Sequence, residues 1–222
     1  MKQPPIDAPE TRSLGERVRA KWRHGLTMQW MIDRLAERGI EVRMFYLFRE
    51  QGMPEEMPDP PDIEGFTVSL LREDELDGLD RVDGRTIEAA ELRQRLAKGD
   101  GCITVRDGER IAAFSWFGLR ECRFLSFRFA LKNNEAYLYD AHTLKPWRGR
   151  NLAILARRQT HRTLMRQGRN TFYSISEYFN RPALRFKDKL GARPVELCLC
   201  GVLWHRWRWK WILRRYEEPE AH

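Results

Sequence analysis

The chain has 222 residues, 42% of them hydrophobic and eight of them Trp, which is enough to bury the core of one sizeable domain with an extension. Forty basic against 32 acidic residues give a net charge of +8, which favours anionic partners such as nucleotides, phospholipids or nucleic acid. No apolar run reaches the roughly 18 residues that a membrane span requires, and the N-terminus lacks a signal-peptide core, so we expect a cytoplasmic protein.

Residues 1–65 are predicted to form an N-terminal extension. After a charged, proline-rich tail come two helical patterns, one that begins at Ser13 and one over Thr27–Arg38, and both combine tryptophans with basic residues. A basic amphipathic pair of this kind either lies on an anionic membrane surface or packs on the domain or on a second subunit. A strand over Glu41–Phe48 and an acidic, proline-rich connector over Gln51–Gly65 complete the extension.

Residues 66–203 alternate between strand and helix patterns and are predicted to form the main domain. Strands are predicted at Phe66–Arg72, Cys102–Arg106, Arg110–Phe117, Phe124–Ala130, Glu135–Thr143 and Thr171–Ser176, with a turn of helix at Leu76–Leu79 and a helix over Thr86–Ala97. Asp107-Gly108 is the clearest turn, because Asp-Gly suits the two-residue turns that match the twist of a hairpin.

The four cysteines, at positions 102, 122, 198 and 200, have neither paired CxxC spacing nor neighbouring His clusters. This spacing argues against a zinc site, and we predict no metal. Buried free thiols in a reducing cytoplasm are the expected state of these side chains.

The segment at residues 145–150 has the composition of an anion site. It interrupts the strand pattern, and a helix that begins at Asn151, a favoured N-cap residue, leaves its first N–H groups unpaired beside the positive end of its dipole. Arg148 and Arg150 add two formal charges, and Gly149 allows the backbone to approach a ligand closely. The helical pattern that follows places five residues on one stripe: Leu152, Leu155, Ala156, Gln159 and Thr163.

The run from Trp147 to Ala153 resembles the coenzyme-A loop of the GNAT N-acetyltransferase superfamily, whose common form is aromatic-Arg-Gly-x-Gly-aliphatic-Gly/Ala. Against the shorter signature Q/R-x-x-G-x-G/A, laid on residues 146–151, Gly149 agrees, whereas Pro146 and Asn151 depart from it. Asn tolerates the left-handed backbone better than most residues, so we expect the loop to keep its conformation despite this change.

A second stretch resembles a later helix of the same family, N-x-x-A-x-x-x-Y-x-K-x-G-F. It follows the strand Thr171–Ser176 and agrees at Asn180, Ala183, Lys189 and Gly191. Lys187 stands where the family often has a Tyr that serves as general acid, and Ala192 replaces the closing Phe. The two motifs, in this order, carry a resemblance that covers residues 66–203.

The resemblance implies a mixed α/β fold with a twisted, mostly antiparallel sheet and helices on both faces. It also implies that the strand ending near Thr143 diverges from the one near Thr171, with the pantetheine arm of coenzyme A in the gap. Pantetheine would pair with backbone groups of Ala141, His142, Thr143 and Leu144. The pyrophosphate would bind amides of Arg148, Gly149, Arg150, Asn151, Leu152 and Ala153. Further candidate contacts are Asn180 and Lys187, the latter to a phosphate or to a substrate carboxylate.

Acyl transfer to an amine needs a neutral amine, a polarised carbonyl and a proton for the departing thiolate. Strand alternation predicts one face with Glu135, Tyr137, Tyr139, Ala141 and Thr143, and the other with Asp140 and His142. Glu135 is the first candidate for the base, acting directly or through water, and Glu177 is the competing carboxylate. Tyr139 and Tyr178 are candidates for the acid. Glu135 also fits an exposed residue beside a turn, and either Tyr also fits simple packing.

The sequence therefore predicts an acyl-CoA-dependent N-acyltransferase, in its simplest form one that transfers an acetyl group from acetyl-CoA to a primary amine by direct attack. Two alternatives remain open: a longer acyl donor with a membrane or cell-envelope amine, and a non-catalytic binding module of the same fold. The expected partners are acyl-CoA and an unidentified amine. A homodimer and peripheral association with the inner face of an anionic membrane are also left open.

Residues 204–222 form an aromatic and basic segment at the end of the chain. As a strand it would present Trp207, Trp209 and Trp211 on one face and Arg206, Arg208 and Lys210 on the other. Such a strand either stacks bases and holds phosphates, sits at a membrane interface, or covers the N-terminal helices from the edge of the sheet. No sequence-specific nucleic-acid module is matched, so we do not expect a nucleic-acid partner.

Overall fold

The computed structural model describes residues 34, 40–52, 65–79, 81–82, 85–204 and 206–216. Its helices in these ranges are α1 (Ala89–Ala97), α2 (Leu152–Met165) and α3 (Arg181–Lys189), and 3-10 turns span Glu73–Gly78 and Lys145–Trp147. The strands are β1 (Ile40–Gln51), β2 (Phe66–Leu70), β3 (Arg81–Val82), β4 (Arg85–Thr86), β5 (Gly101–Asp107), β6 (Arg110–Gly118), β7 (Glu121–Phe124), β8 (Phe127–Ala130), β9 (Glu135–Thr143), β10 (Thr171–Glu177), β11 (Arg193–Leu203) and β12 (Trp207–Arg215).

Eight strands form one sheet in the order β12-β11-β1-β10-β9-β6-β5-β2. Neighbouring strands are antiparallel except for β9 and β10, which are parallel. The short pairs β3–β4 and β7–β8 are separate hairpins. The predicted mixed, mostly antiparallel sheet is therefore confirmed, and its single parallel pair lies near the centre.

Helices pack on both faces of the sheet, as predicted. Adjacent residues of β6 point to opposite faces. Trp116 belongs to the same buried cluster as Leu92 of α1, whereas Phe117 belongs to the cluster that contains Leu164 of α2. The core is thus divided into two layers by the sheet.

Strand β1 lies inside the sheet, between β11 and β10, and β12 forms one edge of the same sheet. Phe45 and Leu47 of β1 are buried. The sheet therefore extends beyond both predicted domain boundaries, at residues 65 and 203. Those boundaries are the extent of the family resemblance, and the division of the chain into domains stays a prediction.

Several predicted elements differ in detail, and three differ in how the chain turns or begins a helix. The single strand predicted over Phe124–Ala130 is wrong, because Leu125 takes a left-handed backbone (φ 52°) and the chain reverses between β7 and β8. The turn of the β5–β6 hairpin is Gly108-Glu109, since Asp107 still pairs with Arg110. Helix α1 begins at Ala89 and not at Thr86, because Thr86 belongs to β4.

The predicted tail, the first helix, most of the second helix and most of the acidic connector lie outside the described residues, although Arg34 is itself helical. None of the described helices is long and apolar enough to cross a membrane. All four cysteines are buried with free thiols, as predicted.

Candidate functional site

Strands β9 and β10 start as a parallel pair and then separate. Their pairing ends at Leu138 and Ser174, although β9 continues to Thr143 and β10 to Glu177. Beyond the pair formed by Leu138 and Ser174, no further residue pair joins these two described strands. Residues 139–143 therefore border a gap near the middle of the sheet, as the resemblance implied, with backbone groups that β10 does not use.

Strand β9 contains a bulge at Asp140, whose backbone is left-handed (φ 47°) and beside which the register with β6 slips. Tyr139 stacks on Trp116, and His142 packs on Phe114, with ring centroids 6.3 and 5.8 Å apart. Trp116 and Phe114 are two residues apart on one strand and share a face, so Tyr139 and His142 share it as well. The predicted alternation, which placed these two side chains on opposite faces, is wrong because a bulge inserts an extra residue.

The loop after β9 is anchored before it reaches the helix. Trp147 is buried, and its Nε1 donates a hydrogen bond to Asp107 Oδ2 at 2.9 Å. Arg148 Nε donates to the Thr143 carbonyl at 3.1 Å. Gly149 then adopts φ 86°, and no atom beyond its chain neighbours lies within 4 Å of the position a Cβ would take. The backbone conformation thus requires a glycine, and the space beside it is open.

Asn151 precedes helix α2 with a left-handed backbone (φ 57°), as its tolerance for that conformation predicted. Its side chain does not cap the helix, because Oδ1 accepts a hydrogen bond from Lys189 Nζ at 3.1 Å. Helical hydrogen bonding begins with Ile154 N–H, which donates to the Asn151 carbonyl. The N–H groups of Leu152 and Ala153 precede this bond and form the electropositive end of the helix.

A charged and aromatic cluster lies on the same face of β9, beside the gap. The Tyr139 hydroxyl donates to Asp100 Oδ2, and Arg95 Nη1 donates to Asp140 Oδ2, both at 2.7 Å. The Arg95 guanidinium lies 5.2 and 5.4 Å from the ring centroids of Trp116 and Tyr139. Burial and the hydrogen bond to Asp100 raise the pKa of Tyr139, so its hydroxyl is protonated at neutral pH.

The two predicted catalytic carboxylates lie at different ends of the strands. Glu135 is buried at the paired end of β9, where Oε2 accepts from Lys132 N–H at 2.8 Å and Oε1 lies 3.5 Å from the Tyr173 hydroxyl. Glu177 is at the open end of β10, 39% exposed, and 3.9 Å from Arg43 Nε. Their assignment as bases stays a prediction.

Tyr178 and Asn180 hold the segment between β10 and α3. Tyr178 stacks on Tyr46 with centroids 5.5 Å apart, and its N–H donates to the Met44 carbonyl. Asn180 is the N-cap of α3, where its Oδ1 accepts from Ala183 N–H at 3.2 Å. Both residues have structural contacts, and their predicted roles toward substrate and coenzyme stay predictions.

Most of the residues predicted to bind the coenzyme lie on one continuous path, from the gap through the loop to the start of α2. These are Ala141, His142, Thr143, Leu144, Arg148, Gly149, Arg150, Asn151, Leu152 and Ala153. The Arg150 guanidinium lies 5.9 Å from the Phe66 ring centroid. Lys187 does not lie on this path.

Lys187 belongs instead to a group of buried side chains that the sequence did not predict. Its Nζ donates to Glu50 Oε1 and to Ser174 Oγ, both at 2.7 Å, and the Ser174 hydroxyl donates to Glu50 Oε1 at 2.6 Å. His161 Nε2 and Arg157 Nε lie 3.1 and 3.8 Å from Glu50 Oε2. We call these five residues the Glu50 cluster. Each of them is at most 3% exposed, and together they join β1, β10, α2 and α3.

The charges of the Glu50 cluster do not balance. Burial lowers the pKa of Lys187 to about 8, against the opposing effect of Glu50. Burial raises the pKa of the Glu50 carboxyl, but Arg157, Lys187 and His161 outweigh this effect and hold the pKa well below its ordinary value. Burial also lowers the pKa of His161, so the imidazole is neutral at pH 7, with its proton on Nε2 facing the carboxylate. One carboxylate thus faces two cations.

Sequence reasoning missed four of the five members. Glu50 lies beyond the predicted strand Glu41–Phe48, and only the longer β1 brings it into the sheet. On α2, Thr160 and Leu164 are buried where Gln159 and Thr163 were predicted, so Arg157 and His161 fall on the buried side. The available signal in the sequence was that Arg157 and His161 are four residues apart, beside an apolar stripe of the helix. Such a spacing does not identify the carboxylate that the two side chains contact.

The fold is similar to that of solved structures, two of which are named as a GCN5-related N-acetyltransferase and a GNAT protein. A GCN5-related N-acetyltransferase from Sphaerobacter thermophilus matches with a TM-score of 0.53 and 14% identity, over 78% of this chain and 54% of that one. A tandem GNAT protein from the clavulanic acid biosynthesis pathway matches with a TM-score of 0.53 and 12% identity, over 82% and 58%. A Drosophila protein matches with a TM-score of 0.53 and 15% identity, over 87% and 59%. The chain spans little more than half the length of these three structures.

No protein-family model and no curated protein matches the sequence. The likeness is therefore one of three-dimensional fold, and in this chain that fold includes the separating parallel pair and the loop that leads into α2. The chain has the GNAT fold.

Proposed function

We propose that the protein is an acyl-CoA-dependent N-acyltransferase, which transfers an acetyl group from acetyl-CoA to a primary amine. The observation that carries the proposal is the continuous path from the β9–β10 gap through the Gly149 loop to the start of α2. The part of β9 beyond its last pair with β10 suits the amide-containing pantetheine arm, and an electropositive helix end with Arg148 and Arg150 suits a pyrophosphate. The residues present therefore fit the coenzyme.

In this proposal the backbone of residues 141–144 holds pantetheine, and the amides of residues 148–153 hold the pyrophosphate. The open space beside Gly149 leaves room for the phosphates. The coenzyme supplies the acyl group as a thioester, which an amine can attack. Asn180 is a further candidate contact, from the start of α3.

During transfer the amine loses one proton and the departing sulfur gains one. Glu135, a buried carboxylate whose Oε1 lies 3.5 Å from the Tyr173 hydroxyl, is our preferred base. Glu177, at the open end of β10 and 3.9 Å from Arg43 Nε, is the alternative. For the acid, Tyr139 is protonated but donates its hydrogen to Asp100, so Tyr178 and water are the alternatives.

A non-catalytic binding module of the same fold is the second candidate function. The observation that favours it is the environment of Lys187, which occupies the family's Tyr position. Its ammonium group is engaged by Glu50 and Ser174 inside the protein. A side chain held in this way is not directed to a departing thiolate. The module would bind the coenzyme, or none, without turnover.

A thermal-shift titration with coenzyme A, acetyl-CoA and a long-chain acyl-CoA tests the first proposal, with ATP as a phosphate control. A specific ligand at about 100 times its dissociation constant should stabilise the protein by roughly 2.7 kcal/mol. We expect acetyl-CoA to raise the melting temperature and ATP to leave it unchanged. A shift with the long-chain thioester alone would instead favour the variant with a longer acyl donor.

Turnover is then measured as thiol release from the thioester that binds, over a panel of primary amines. Amine-dependent release supports the enzyme. Binding without release on any amine supports the non-catalytic module, and the absence of binding by every thioester contradicts the coenzyme site.

A further inference from the structure

Strand β12 presents exposed tryptophans at one edge of the sheet. Trp207 and Trp211 are 70% and 62% exposed, and Trp204, in the turn before the strand, is 64% exposed. Trp204 also has a left-handed backbone (φ 46°), which L side chains rarely adopt. Several large apolar side chains exposed together on one edge indicate a surface that contacts a partner.

Packing in the middle of the strand fixes this aromatic row. Trp209 covers Gly201, where an added Cβ would lie 2.5 Å from the indole ring. The rings of Trp209 and Trp211 have centroids 4.9 Å apart, and Ser126 Oγ donates to the Trp209 carbonyl at 2.7 Å. The outer indoles are therefore presented by an ordered strand rather than by a loose tail.

Basic side chains accompany the tryptophans along the whole strand. Residues 206–216 include five basic residues and no acidic one, and all five are exposed: Arg206, Arg208, Lys210, Arg214 and Arg215. Lys210 lies on the face opposite the tryptophans, 4.8 Å from the Phe127 ring centroid. A flat surface that meets this edge of the sheet would contact the aromatic row on one side and basic groups on the other.

We propose that the β12 edge docks on an anionic phospholipid surface. Tryptophan prefers the interface between the lipid headgroups and the hydrocarbon region, where both its apolar ring and its N–H are accommodated. Each Lys or Arg close to an anionic surface adds attraction, and long side chains can reach the headgroups while the indoles insert.

Charge and ring geometry argue against the other partners that such an edge could take. Pairing of β12 with the same strand of a second copy would bring two basic rows together, which disfavours association. Stacking of successive nucleic-acid bases needs a row of parallel aromatic faces, whereas two of the three tryptophans of β12, Trp209 and Trp211, are tilted against each other at 42°. A lipid surface is the partner that would contact both the aromatic row and the basic row. This docking proposal does not depend on the proposed acyl transfer.

Sedimentation with sucrose-loaded vesicles tests the docking surface on the full chain. One set of vesicles contains phosphatidylcholine with phosphatidylglycerol, and the other contains phosphatidylcholine alone. We expect the native protein to sediment with the anionic vesicles and to remain in solution with the neutral ones. Raised salt should weaken the binding, because the charge attraction is screened.

Two double variants separate the aromatic from the basic contribution. Trp207→Ser with Trp211→Ser should abolish sedimentation, and Arg206→Gln with Arg208→Gln should weaken binding about fivefold per removed charge. Leu70→Ser is the matched control, because Leu70 is 53% exposed on β2 at the opposite edge of the same sheet. The control should bind vesicles as the native protein does.

Failure of the native protein to sediment with anionic vesicles overturns the proposal. Equal binding by the tryptophan variant and the Leu70 control overturns it as well. The proposal is also overturned if the native protein binds a single-stranded oligonucleotide but not vesicles. A dimer in solution that is lost in the tryptophan variant would overturn it too. If the tryptophan variant melts at a much lower temperature, the row is covered within the folded chain, which also contradicts the proposal.

Discussion

The gap beside β9 and the Glu50 cluster meet at Ser174, yet they are built in opposite ways. Ser174 is the last residue of β10 that pairs with β9, and its hydroxyl contacts both Glu50 and Lys187. The gap and its loop are formed by backbone: the end of strand pairing, the bulge at Asp140 and the left-handed Gly149. The cluster is formed by side chains from four separate elements. The comparison indicates that local backbone conformation shapes the candidate site, whereas side chains that are distant in sequence join the strands and helices around it.

Glu50→Gln should have the largest effect on stability. The substitution removes the carboxylate and leaves Lys187 and Arg157 buried without a counter-charge, which costs about 3–5 kcal/mol of unfolding free energy. Urea denaturation measures the loss. Glu91→Gln is the control, because Glu91 pairs with Arg95 at 2.8 Å on the surface and its loss should cost at most about 1 kcal/mol. Equal losses of unfolding free energy in the two variants would show that the Glu50 cluster contributes no more to stability than a surface ion pair does.

The stability contributed by Lys187 should depend on pH. Its pKa in the folded protein is about 8, below the ordinary value of 10.5, because burial disfavours the charge. Between these values the unfolded chain binds more protons, so the unfolding free energy of the native protein rises with pH, by at most about 1.4 kcal/mol per pH unit.

Lys187→Met lacks this titrating group and provides the reference. The native protein should gain stability relative to the variant from about pH 8 to pH 10.5, and the difference should be constant just below that window. Denaturation curves at several pH values measure it. A difference that stays flat across the window would mean that Lys187 is not desolvated in the folded state.

Gly149→Glu should affect coenzyme binding more than folding, whereas the substitutions in the Glu50 cluster should mainly affect folding. A side chain at φ 86° should cost about 1 kcal/mol of unfolding free energy. The added carboxylate should weaken acetyl-CoA binding by more than about tenfold, since it faces the phosphates. Thermal-shift and calorimetric titrations measure both.

Gly168→Glu is the matched control for the loop. Gly168 also has a left-handed backbone (φ 79°) and open space around its Cβ position, but it lies in the turn after α2, at the opposite end of that helix from the loop. The charge change and the backbone cost are therefore alike. If both variants lose coenzyme binding equally, the loop at Gly149 is not the pyrophosphate site.

Tyr139→Phe should have the smallest effect. It removes the hydrogen bond to Asp100 and should lower the unfolding free energy by about 0.5–1.5 kcal/mol, while the ring stays stacked on Trp116. Turnover should change little if the aromatic ring only packs. A large loss of turnover at unchanged acetyl-CoA affinity would make Tyr139 the acid, and would shift part of the chemistry from backbone to side chain.

The parts of the site that were predicted correctly are those encoded within a few consecutive residues. Asn151 adopts the left-handed conformation that was expected of it, and the strand, loop and helix follow in the predicted order. The bulge at Asp140 was missed, because nothing in YLYDAHT distinguishes a bulged strand from a regular one. That single inserted residue moved His142 to the other face of the sheet.

The sequence by itself determined the alternation of strands and helices, the charged composition of the loop and the order of the two family motifs, because periodicity and backbone preference act over short distances. Only the tertiary structure showed that Glu50 meets Lys187, and that β1 and β12 belong to the same sheet as the site. Glu50 and Lys187 are 137 residues apart, and no local preference records such a contact. The contact exists because strand pairing and helix packing exclude water from one small volume, where opposite charges must then face each other.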